Sequence, residues 1–147
     1  MLNKILVILF SLLCFSTETI KGKPLENIEV FDINQQSIVK LAPNDYEIQR
    51  LVHNYIQGID GLYSKFNPIP DKGYAIKIPL SPAIIAKNKG IKVPIEQVIL
   101  MCPENDSPFL MLLEDENKTS CFTFKGSSLL LLENIDYEPS STILDAI

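Results

Sequence analysis

Apolar residues at Ile48, Leu51, Val52, Tyr55, Ile56 and Ile59 recur at the three- and four-residue spacing of one helix face. The stretch PNDYEIQRLVHNYIQGIDG therefore predicts an amphipathic helix. Asn44 is placed to cap it, Glu47 to complete a capping box, and Gly61 to stop it. Elsewhere the pattern is that of strands. NIEVFDI and SIVKLAP predict two strands joined by a turn at Asn34, Gln35 and Gln36. In GYAIKIPL, Tyr74, Ile76, Ile78 and Leu80 alternate with Ala75, Lys77 and Pro79. That is a half-buried strand, and Pro79 puts its end at or near a sheet edge. AIIAKNKGIKV reads as a lysine-tipped hairpin turning at Asn88 to Gly90. VILM and FLMLL lack alternation, which predicts strands covered on both faces. GSSLLLLENID is compatible with a buried strand, but Ser127 or Ser128 as a cap favours a short helix.

These elements add up to an α+β fold: a mainly antiparallel sheet, one amphipathic helix packed on it and a short C-terminal helix. The expected organisation is a leader at 1–16, a flexible lead at 17–27, one domain at 28–138 and a loose tail at 139–147.

The leader rests on the first residues. Lys4 is followed by Ile5 to Phe15, apolar apart from Ser11. At about 1.5 Å per helical residue the run reaches about 17 Å, short of the roughly 30 Å hydrocarbon core of a bilayer. Its length and flanks fit a secretory signal cut after Ser16. Two other fates stay open. Cys14 is a candidate for lipid attachment, although bacterial lipoprotein signals place Gly or Ala before that Cys and Leu13 stands here. An uncleaved anchor is the third. Membrane contact is expected only if the leader is kept or Cys14 is lipidated.

Composition narrows the rest. The chain has 147 residues, 46% of them hydrophobic, enough for one buried core. Its formal net charge is −5, yet residues 62–95 carry Lys65, Lys72, Lys77, Lys87, Lys89 and Lys92 against Asp71 alone. Arg50 is the sole arginine and His53 the sole histidine. An acidic chain so poor in arginine does not suit a nucleic-acid groove. Export would leave Cys102 and Cys121, which invites a disulfide. The strand pattern opposes it. A meander of QVILMC, PFLMLL and SCFTFK sets Cys121 opposite Met111, Met111 opposite Ile99, and Cys102 near Pro108. The two sulfurs then lie more than about 9 Å apart, too far to bridge. Two buried free thiols are expected.

No stretch carries a specific catalytic motif: there is no HExxH, nucleophile elbow or phosphate-binding Gly-rich loop, and Lys72-Gly73 alone is far too weak. His53 falls in the row Asp45, Gln49, His53, Gln57, away from the apolar stripe. It could serve as a general base oriented by Asp60 or Gln49; a solvated helix face is the plainer reading. CPENDSP and LEDENKTS are acidic loops of the kind that bind calcium, but a meander puts them at opposite ends of its strands. One histidine and two separated cysteines give no zinc site. No metal and no cofactor is expected. Asn105 and Asn117 begin glycosylation-type triplets, relevant only in a eukaryotic secretory pathway.

The lysine-rich third is the one feature suited to a ligand. Lys72, Lys77, Lys87, Lys89 and Lys92 are its candidate contacts, matched to anionic envelope polymers or head groups. The bland alternative is lysines spread over several faces to keep edge strands apart.

IEVFDINQQSIVKL, GIDGLYSKFNPIPDKGYAIKIPL, EQVILMCPE and LMLLEDENK together resemble a family of small, uncharacterised exported proteins of Bacillus-type bacteria. The resemblance implies export and one compact domain. It implies no activity, cofactor or catalytic residue. The expected role is a non-enzymatic binding or interaction module of the cell envelope, its partner an anionic polymer or another envelope protein. Two alternatives stand beside it. One is an enzyme whose pocket gathers distant residues such as His53 and Tyr63. The other is an assembly or inhibitory protein acting through a sheet edge.

Overall fold

Seven strands form one sheet in a computed structural model that describes residues 24–139 apart from 66, 87–89, 92–93 and 116–117. They are β1 (Ile28–Asp32), β2 (Ser37–Ala42), β3 (Ile59–Leu62), β4 (Gly73–Ile84), β5 (Ile95–Pro103), β6 (Phe109–Asp115) and β7 (Lys118–Phe124). Helix α1 (Tyr46–Gln57) lies between β2 and β3, and α2 (Ser128–Asn134) follows β7. The strand order is β2-β1-β4-β5-β6-β7-β3 and every neighbouring pair is antiparallel. This is the expected α+β fold. The leader and most of the lead and tail lie outside the described residues.

β2 and β3 are the two edges, so the chain crosses the whole sheet between them, and α1 is the crossing. Its buried stripe of Ile48, Val52, Tyr55 and Ile56 packs on a sheet face built from Ile76, Ile78, Val98, Leu100, Leu110 and Leu112. Burying four such side chains stabilises the fold by roughly 1.5–3 kcal/mol each. Tyr55 also donates its hydroxyl to the Ser127 carbonyl at 2.5 Å, which ties α1 to the start of α2. Leu131 and Leu132 of α2 complete the core.

Several expectations need correction. The helix cap is Asp45, one residue later than Asn44. Asp45 Oδ1 accepts the Ile48 N–H at 3.0 Å, which moves Glu47 out of the capping-box position; it pairs with Arg50 instead. The helix ends at Gly58, whose N–H donates to the Asn54 carbonyl at 2.8 Å. A Cβ there would come 2.8 Å from the Lys125 carbonyl, so Gly58 is held by close backbone approach. Gly61 belongs to β3, opposite Thr123.

β4 is central rather than near an edge, and it continues to Ile84. Pro79 is tolerated because β4 outruns β1, whose last pair with it is Glu29 with Lys77. β5 and β6 are covered on both faces only at their joined ends, where Met101 and Phe109 of the outer face are buried; further along, cover is on one face. Val98, Leu100, Leu110 and Leu112 are fully buried, whereas Ile99 and Met111 between them are half-buried and Leu113 is exposed.

The meander register is as expected: Ile99 faces Met111 and Met111 faces Cys121. Cys102 and Cys121 are free, and they lie on opposite faces of the sheet. Only Cys102 is fully buried; burial pushes its thiol up to about 12, the Tyr74 hydroxyl working the other way. Cys121 is half-buried.

Candidate binding groove

Where β4 outruns β1, the Pro79 carbonyl has no strand partner. Two side-chain amides take its place. Asn44 Nδ2 donates to it at 2.9 Å and to the Glu26 carbonyl at 3.1 Å. Gln49 Nε2 donates to the same Pro79 oxygen at 2.8 Å and to Asn44 Oδ1 at 2.6 Å. The Ser81 N–H closes the set on Gln49 Oε1 at 3.1 Å. Backbone groups stripped of their ladder need such partners, and here they fix the start of α1 to the end of β4.

Beyond Pro79 the register with β5 breaks, from Pro79 opposite Gln97 to Ile84 opposite Ile95. The extra β4 residues Ser81, Pro82 and Ala83 bulge outward and are exposed, and the Ser81–Pro82 peptide is cis. Between this bulge and the polar side of α1 runs an open groove of about 790 Å³. Pro82, Ile84 and Ile85 form one wall and Leu25 closes an end. Tyr46, Arg50 and His53 supply the other wall, one helical turn apart.

Among the described residues no aspartate or glutamate lines the groove, although the chain has 18 acidic residues. Its two cation-capable groups are the only arginine and the only histidine of the protein. Arg50 Nη2 contacts Glu47 Oε2 at 2.6 Å, but both side chains are more than half exposed. Such surface pairs hold little energy, so the guanidinium can turn to an incoming anion.

No match to a protein-family model, a curated protein or a solved structure is found for this chain.

The residues weighed for catalysis do not assemble. Asp60 accepts the Thr123 hydroxyl at 2.7 Å and Gln49 is engaged in the amide set, so neither orients His53. Tyr63 stacks on Phe109 and donates its hydroxyl to Asp106 Oδ2 at 2.8 Å. That cluster sits by the β5–β6 turn, at the Gly73 end of β4, whereas His53 faces the Ile84 end.

The five candidate lysines do not form one described patch. Lys72 is exposed just before β4. Lys77 lies within β4 and pairs with Glu29 at 3.4 Å. Lys87, Lys89 and Lys92 lie outside the described residues, in the connection after the far end of β4. Lys72 lines a second hollow with Lys65, but Asp71, Glu104 and Asp106 line it too and offset them. Lys65 is itself salt-bridged to Asp106. Among the described residues no three His, Cys, Asp or Glu side chains gather to hold a metal, and no helix is long and apolar enough to cross a membrane.

Sequence reasoning missed this groove. Its visible traces are Pro79 and Pro82 inside one strand, and an arginine and a histidine three residues apart on the polar side of a helix.

Proposed function

We propose that the chain is a non-enzymatic binding module of the bacterial cell envelope, and that its groove takes an anionic amphiphile. One observation carries this: in an acidic protein, a groove with apolar walls and no carboxylate among its described lining residues gathers the only arginine and the only histidine. Ligand sites commonly join apolar walls to a few convergent polar groups. Leu25, Pro82, Ile84 and Ile85 suit an acyl or other apolar body, and Arg50 and His53 suit its carboxylate or phosphate. The lysine-rich segment favours the same charge, since Lys87 follows the groove residue Ile85 closely in the chain. The apolar leader supports an extracytoplasmic location, and the resemblance to exported Bacillus-type proteins agrees with it.

Decanoate is a suitable probe. In an NMR titration its shifts should concentrate on the exposed side of α1 and on residues 81–85. Shifts spread over the whole surface, or none at millimolar decanoate, would refute the assignment.

A further inference from the structure

The sheet face turned away from α1 and α2 carries a second surface, and its composition follows from the strand register. One row across the strands runs Leu41, Glu29, Lys77, Ile99, Met111, Cys121. The next runs Ile38, Phe31, Ala75, Met101, Phe109. The far end of this second row is covered: Met101 and Phe109 are buried, and Tyr63 stacks on Phe109. The other end is open: Leu41, Ile38 and Phe31 are 59%, 53% and 38% exposed. Exposed apolar side chains on two adjacent strands, continued by the half-buried Ala75, Ile99 and Met111, mark an interaction face.

In the middle of this apolar surface stand one carboxylate and one ammonium, Glu29 and Lys77, about a third exposed. They decide what can cover it. A lipid surface or a purely apolar segment would strip water from the pair and offer nothing in return, a costly arrangement. A partner must set a positive group over Glu29 and a negative one over Lys77. Strand addition at an edge is disfavoured as well. β3 has four residues and a register shift. β2 has a register shift against β1, and its Lys40 turns inward to Asp136. Both are devices that blunt edges.

We propose that the partner is a second copy of this chain, packed face to face about a two-fold axis that runs along the strands above the β1–β4 seam. This rotation exchanges β1 with β4 and β2 with β5. Glu29 then faces the partner's Lys77, and Lys77 faces the partner's Glu29. Leu41 meets the partner's Ile99. Phe31 meets the partner's Ala75, large against small, and Ile38 lies toward the covered end of the partner's row, where Met101 is buried. Stacked sheets lie about 10 Å apart and cross at about −30°; residues beside the axis, the charged pair among them, are shifted least by that crossing. Four strands from each copy cover a width of roughly 20 Å. That is the small end of stable interfaces, so the pair forms reversibly with concentration. Groove binding is independent of it, because α1 lies on the other face.

Sedimentation velocity of the full chain over about 5–200 µM, a range suited to an interface of this size, tests the proposal. The wild-type protein should shift from monomer to dimer. Glu29→Lys and Lys77→Glu alone should each remain monomeric, because each puts like charges at the axis. An equimolar mixture of these two variants should dimerise, and so should the doubly exchanged chain. Pairing within one chain cannot produce rescue by mixing. A wild-type protein that stays monomeric overturns the proposal, and so does a mixture that stays monomeric. Dimerisation that appears only after residues 1–16 are removed also overturns it, since the leader would then be the natural cover. Circular dichroism checks that each variant is folded. Should one unfold, Phe31→Asp at an exposed position should abolish dimerisation with the fold intact, and unchanged dimerisation would refute the face.

Discussion

Tyr63 lies almost flat on Phe109, with ring centroids 3.8 Å apart and 10° between the planes. Phe109 points away from the main core and is nonetheless fully buried. The stack accounts for that burial, and it anchors the start of the β3–β4 connection. Truncating Tyr63 to Ala should cost about 1–3 kcal/mol of stability through lost packing. Tyr63→Phe should cost less, because it keeps the ring and loses only the hydroxyl bond to Asp106. Urea unfolding midpoints of the two variants measure the difference.

Asp106 gives this cluster a pH dependence. Its carboxylate accepts from Lys65, from the Tyr63 hydroxyl and from the Ser107 N–H. These contacts hold it down at about 2. A depressed acid binds its proton more readily in the unfolded chain, so it stabilises the fold above its unfolded value, near 4. That contribution fades as pH falls from about 4 through about 2. Asp106→Asn should flatten this part of the curve of melting temperature against pH and leave the neutral region little changed in slope. The group is close to solvent, so the effect is modest.

Gly73 has a backbone that an L-residue cannot copy without strain. Its φ is +127°, and a Cβ would collide with the Cys102 carbonyl. Its N–H donates to Asn34 Oδ1 at 3.1 Å and its carbonyl accepts from Ile33 at 3.0 Å. Gly73→Ala should destabilise the protein by about 2–4 kcal/mol, among the larger single-residue effects. Thermal unfolding checks this. A loss under about 0.5 kcal/mol, the size of an ordinary surface change, would show that the turn relaxes freely.

Local patterning carried the fold a long way. Periodicity located α1, the β1–β2 hairpin and the meander, down to Met111 opposite Cys121. It failed where tertiary contacts decide. Asn44 and Asp45 are both good caps, and only the unpaired Pro79 carbonyl draws Asn44 away from that role. Gly58 and Gly61 are both helix stops by composition; the close Lys125 carbonyl selects Gly58. VILM and FLMLL are covered on both faces only at Met101 and Phe109; their other outer residues are apolar too, but nothing in the local pattern shows that Leu113 stays exposed. The groove was hidden for another reason. It joins the polar side of a helix to a strand bulge some thirty residues later in the chain, and no local pattern links His53 with Ile85.

Selection of charge is the property that defines the groove. Isothermal titration should therefore compare decanoate with decanol, which share the apolar body and differ in the head group. A charged hydrogen bond contributes about 1.5–3 kcal/mol, so decanoate should bind roughly 10–100 times more tightly to the wild-type protein. The preference should weaken as salt screens the charges. Arg50→Gln should remove most of it while leaving decanol binding unchanged. Equal affinity for both probes, or an Arg50→Gln variant that still prefers decanoate in full, would contradict the groove as an anion-selective site.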